Sequence, residues 1–150
     1  MAVPTGSGTE TVHSHLLSNV DATSGSAQTL IFGVQHHVYT VLSIIICCTA
    51  LNATTDYMYI NFHGHDAHAG NSQSTYRILR ANPQVGDTFV WNDKFSFNGV
   101  ESSGANALSA AEQIAIAAQA GSAVQELMFA CDDAGDSFHI FVTYLDQDWT

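Results

Sequence analysis

VYTVLSIIICC, residues Val38 to Cys48, carries apolar side chains on both faces of an extended chain. Val and Ile branch at Cβ, which crowds a helical turn and suits a pleated strand. An apolar run of this length, free of Gly and Pro, is the pattern of a strand inside a sandwich. The run FHIFVTYL, Phe138 to Leu145, sets Phe138, Ile140, Val142 and Tyr144 on one face, the period of two that marks a strand.

Shorter runs between these two read the same way. Thr29–Val34 is apolar and bounded by turn residues. Asp56–Phe62 places Tyr57, Tyr59 and Asn61 on one face and Met58, Ile60 and Phe62 on the other. Thr75–Ala81 precedes the breaker Asn82-Pro83, and Thr88–Trp91 and Phe95–Phe97 flank Asn92-Asp93-Lys94. Asn98-Gly99 is a tight-turn signal. Val124–Ala130 leads through Asp132-Asp133-Ala134-Gly135-Asp136 into the last strand, which predicts a closing hairpin. Strands at this spacing predict a mostly β chain folded as an antiparallel, jelly-roll-like β-sandwich over residues 29–150. One short helix is predicted over 110–119, where Ser109-Ala110-Ala111-Glu112 fits a capping box and Gly121 a helix stop. Residues 1–28 are rich in Ser, Thr and Gly and are expected to form an extended N-terminal arm held by another chain.

Charge narrows the function. Charged residues are 11% of the chain, against about 25% in ordinary soluble proteins. Polar surface must therefore come from uncharged groups, which lose little on being buried against a neighbour. Fourteen acids face three bases, Arg77, Arg80 and Lys94, for a net charge of −11, and eight acids with no base follow from Glu101 onward. Phosphate backbones and anionic membranes attract Lys and Arg, so neither nucleic acid nor a membrane surface is an expected partner. The longest apolar stretch, Val41–Cys48, is far short of the ~20 residues of a membrane helix. No basic segment followed by an apolar one opens the sequence, so no export signal is expected. Cys47, Cys48 and Cys131 form neither a C-x-x-C pair nor an even-numbered disulfide framework, and Cys47 and Cys48, ending an apolar run, read as small buried hydrophobes.

His63-Gly64-His65-Asp66-Ala67-His68 is the one cluster suggesting a metal. Metallo-β-lactamases carry Asp immediately before the last His, where Ala67 stands here. Cupins follow H-x-H with Glu four or five residues on, where Ala69 and Gly70 stand. There is no H-E-x-x-H. The cluster is therefore expected to be an exposed polar loop, with zinc at His63, His65 and His68 the competing reading. His13-x-His15 could clip subunits through a metal, and with His36-His37 is expected to be solvated or at an interface. Asp132, Asp133 and Asp136 lack EF-hand spacing and are assigned to the hairpin tip, and Asp146 and Asp148 to a solvated tail. No nucleophile elbow or phosphate loop occurs. The expectation is a chain with no catalytic residues and no cofactor.

Three segments in order, VYTVLSIIICC (Val38–Cys48), GDTFVWNDK (Gly86–Lys94) and FHIFVTYLDQDW (Phe138–Trp149), carry a resemblance. Together they resemble a diffuse group of small phage structural proteins, many from marine phages, laid out as "hTVLSIxxCN", "GETFVxNDK" and "DVxVSYIDQDW". Residues 99–121 and the His63–His68 segment depart from that layout. The resemblance implies a virion component made in the host cytoplasm, with a capsid decoration (cement) protein first and a tail, neck or fibre subunit second. Its expected partners are the major capsid protein or other virion proteins, and its own copies, as a trimer. A carbohydrate-binding sandwich using Tyr57, Tyr59, Trp91 and Trp149, and a metal enzyme at the His cluster, are the rival classes.

Overall fold

The computed structural model describes residues 9–23, 26–66, 72–101 and 123–148. Within them lie β1 (Glu10–Val20), β2 (Gln28–Phe32), β3 (His37–Ala50), β4 (Met58–Asp66), β5 (Ser72–Ala81) and β6 (Thr88–Trp91). They are followed by β7 (Phe95–Asn98), β8 (Val100–Glu101), β9 (Ala123–Val124), β10 (Glu126–Cys131) and β11 (Ser137–Asp148). The predicted helix at 110–119 falls outside the described residues.

Two antiparallel sheets pack against each other. The longer one runs β1-β11-β3-β6, with β7 also on β3, and the shorter one β2-β10-β4-β5. β6 pairs with Ile44–Cys47 and β7 with Val38–Val41, so the two lie end to end along one edge of β3 and act as a single interrupted strand. Counted so, and setting aside the small β8-β9 ribbon, the orders are first-eighth-third-sixth and second-seventh-fourth-fifth. This is the order made by wrapping one long antiparallel hairpin around a core, the jelly roll. The sandwich expected from the strand pattern is therefore present.

Register explains why VYTVLSIIICC serves this place. Val41 pairs with Tyr144 and Ser43 with Thr143, so Leu42 is an extra residue and the ladder bulges there. A bulge switches which side chains face inward. Tyr39 and Val41 are buried before it, and Ile44, Ile46 and Cys48 after it. Opposite them, β11 turns Phe138, Ile140 and Val142 inward, and the other sheet contributes Ile31, Met58, Ile60, Leu127 and Phe129. The Phe129 and Phe138 rings meet edge-on with centroids 5.0 Å apart across the two sheets.

Three local expectations change. Residues 10–20 are not a free arm, because β1 pairs with β11 from Glu10↔Gln147 to Val20↔Phe138, and the sandwich begins there rather than at residue 29. β10 and β11 do not close a hairpin: β10 lies between β2 and β4 in the short sheet, β11 between β1 and β3 in the long one. The Asp132–Asp136 segment is thus an arch between sheets. Gly99 makes no two-strand turn either. A Cβ on Gly99 would collide with the Val34 backbone, and one on Gly33 with the Gly99 and Gln125 carbonyl oxygens. Both glycines are needed where these backbone segments cross.

Candidate assembly surface

The short sheet covers only one face of the long sheet. On the other face the pairing registers line up Leu16, Phe141, Ile45 and Val90 as a continuous row across β1, β11, β3 and β6. Leu16 is 64% exposed, Val90 60% and Phe141 37%. A neighbouring row holds Val12, Leu145, Thr40 and Ser96, and between the two lie Ser14, Thr143 and Ser43. Ser14 and Thr143 share a hydrogen bond of 3.1 Å, and Thr40 and Ser96 one of 2.8 Å, so these hydroxyls are already partnered within the sheet. Beyond the apolar row come His139, Cys47 and Thr88. Among all these residues there is no Lys, Arg, Asp or Glu. Among the described residues only Glu10, at the far corner, adds a charge to this face, and Gln147 donates to it at 2.7 Å.

The clustered histidines of the sequence are elsewhere. His63 and His65 are not in a loop, since β4 continues to Asp66 and pairs with β5 through both. Gly64 permits this extension, because a Cβ there would press on the Phe62 ring and Gln125. His63 shares its face with Glu126, its cross-strand neighbour, and its Nδ1 lies 3.4 Å from Glu126 Oε1 and 3.3 Å from Gln73 Nε2. It therefore points away from the interior that Ile60 fills, whereas a cupin-type centre needs its histidines inside the barrel. His65 lines a shallow recess with Phe62, Gly64, Ser74 and Tyr76. His68 falls outside the described residues. Among the described residues, no three His, Cys, Asp or Glu side chains converge as a metal set.

His13 and His37 gather with acids instead, and His15 stacks beside His13 with ring centroids 5.8 Å apart. His37 Nδ1 is 2.8 Å from Asp146 Oδ1, and His13 Nε2 is 3.8 Å from Asp146 Oδ2. Asp148 Oδ1 stands 3.8 Å from His37 Nε2. These two acids are part-buried members of a cluster with Tyr39 and Tyr144, not a solvated tail. Burial and the Asp146 carboxylate push the Tyr39 hydroxyl up to about 12.

The arch acids are structural. Asp132 accepts from the Tyr57 N–H at 2.9 Å and from the Tyr59 hydroxyl. Asp136 is fully buried and accepts from the Asn52 N–H at 2.8 Å and the Asp133 N–H at 3.4 Å. Burial first, and then the nearby Asp56 carboxyl, raise the Asp136 pKa above the usual carboxylate range. Burial also pushes the Cys131 thiol up to about 11, the wrong direction for a thiolate nucleophile.

The aromatics proposed for sugar stacking do not form one platform. Tyr57 and Tyr59 stack on the outer face of the short sheet, with Arg80 3.8 Å over the first ring and Arg77 4.0 Å over the second. Trp91 lines a separate cleft of about 340 Å³ between the β5 and β6–β7 edges, together with Phe62, Tyr76, Ile78, Phe95, Ser96 and Phe97. Trp149 falls outside the described residues. The exposed apolar row had a sequence signal, the double-faced apolar run of β3, but the run alone did not tell which face the chain itself would cover.

No protein-family model matches this chain, and no curated protein matches it at a significant level.

Proposed function

We propose that this chain is a structural subunit of a virus particle, a phage capsid decoration protein that acts by packing against copies of itself and against the capsid shell. The observation that carries the reading is the nearly charge-free outer face of the long sheet, crossed by the exposed apolar row Leu16–Phe141–Ile45–Val90. A chain of net charge −11 that keeps one whole sheet face almost free of charge is suited to burying that face. The jelly roll is compatible, since viral capsid domains use it, but lectins and cupins use it too. The phage assignment rests on the three-segment resemblance alone. A tail, neck or fibre position would use the same surface. Mass spectrometry of gradient-purified particles tests the reading. Stoichiometric amounts of the chain in the particle are expected, and its absence would contradict the proposal.

The aromatic cleft favours one other reading, a small-ligand-binding sandwich. Its lining is apolar apart from Ser96, which suits an aromatic or aliphatic ligand better than a sugar. A glycan array would return hits if sugar binding were the function; the virion reading expects none.

A further inference from the structure

We infer that the outer face of the long sheet joins two copies of this chain face to face about a two-fold axis. The inference rests on the assembly reading of that face, not on the virus particle, and it names the first partner as a second copy. Three observations carry it.

The first is the unsatisfied half of β3. Residues Val38–Cys48 are apolar on both sides, and among the described residues the other sheet covers only the side bearing Val41, Ile44 and Ile46. The other side, with Ile45 at its centre, continues as the Leu16–Phe141–Ile45–Val90 row. Stacking two such rows removes from water side chains that each now lose by facing it.

The second is charge. Two copies at −11 each repel over most of their surfaces, and this face, with Glu10 alone at a corner, is where they meet with least repulsion. A basic partner drawn by the chain's acids would find almost nothing to pair with here.

The third is size. Four strands about 4.8 Å apart, each spanning about ten residues of 3.3 Å, make a face of roughly 600 Å² per copy. Two such faces bury about 1,200 Å², the lower bound for stable specific interfaces. A two-fold contact uses the same patch on both copies, and an axis along the strands lays the row on its own reverse, Leu16 against the partner's Val90.

Sedimentation equilibrium of the full chain is the test, on wild type and on Leu16→Glu, Val90→Glu and Val12→Glu, with circular dichroism to verify folding. All three positions are exposed, so the substitutions leave the core intact. Wild type should sediment at twice the 16.1 kDa chain mass, and the folded variants should dimerise at least about tenfold more weakly. Val85→Glu, 61% exposed but in the turn before β6, should leave the mass unchanged. A monomer at concentrations on the order of 100 µM would overturn the inference. A trimer, or a dimer indifferent to all three face variants, would do so equally. A monomer that is nonetheless found in particles would leave the proposed function standing and remove only the dimer. A dimer missing from particles would do the reverse.

Discussion

Replacing Asp136 with alanine should destabilise the sandwich by about 2–4 kcal/mol, whereas asparagine at the same position should cost under about 1 kcal/mol. The side chain is 0% exposed, and its carboxylate is the acceptor for the Asn52 N–H at 2.8 Å and, more weakly, the Asp133 N–H at 3.4 Å. Alanine strands the first donor in the arch at about 1–3 kcal/mol, removes the second bond and leaves a small void. Asparagine keeps an oxygen for Asn52, gives up the weaker Asp133 bond and turns its N–H2 toward Asp56, whose nearby carboxyl helps to raise the Asp136 pKa. Urea unfolding followed by circular dichroism reads the difference; in a melt the alanine variant should fall by roughly 5–15 °C for a chain of this size.

The pH dependence has a definite sign. Burial and Asp56 raise the native pKa of Asp136, so the folded state holds its proton more tightly than the unfolded chain. Its favourable contribution is complete below the unfolded value and is lost as pH rises through the native one. Across that window wild type should lose stability relative to Asp136→Asn. Equal destabilisation by alanine and asparagine, with no difference in pH profile, would refute the idea that the buried carboxyl acts as an acceptor anchoring the arch.

Gly99→Ala should unfold the protein or cost at least about 3 kcal/mol, because the new Cβ meets Val34 backbone that has no side-chain freedom to yield; solubility and thermal melts check this. Phe129→Ala, at a fully buried ring packed edge-on against Phe138, should cost about 3–5 kcal/mol by urea titration with an unchanged fold. Under a thiol reagent at mild pH, at a concentration low enough to keep the chain monomeric, half-buried Cys47 should react in the folded protein while buried Cys48 and Cys131 wait for unfolding, and simultaneous labelling of all three would contradict this packing.

The strands that build the core were legible because one physical rule controls them. Phe138, Ile140, Val142 and Tyr144 alternate with half-exposed neighbours, and the structure buries the first three completely. β1 escaped the same rule. Among the described strands it pairs only with β11, at the end of the sheet, and TVHSHLLS gains its place from backbone pairing more than from buried side chains, so its sequence reads like an arm. The β10–β11 connection was misread for a different reason. Hydrophobic alternation says that two strands exist, not which sheet each joins. That choice is made by long-range bonds such as Asn52 to Asp136 and Tyr57 to Asp132.

The candidate surface was half visible. Apolar residues on both sides of β3 suggested a strand covered on both sides. Among the described residues one side is covered, and Ile45 on the other gains its significance only when the register sets it between Phe141 and Val90. The histidine cluster was prominent in sequence because its residues are adjacent. In the fold, pleating sends His63 outward to Glu126, away from any enclosed site.

The role proposed for this chain is to be packed against neighbours through the long sheet. Cryo-electron microscopy of particles containing it tests that claim most directly. Density from an adjacent subunit is expected over the Leu16–Phe141–Ile45–Val90 row, with the acidic remainder of the domain facing outward. A map in which that row faces open solvent on every copy would contradict it.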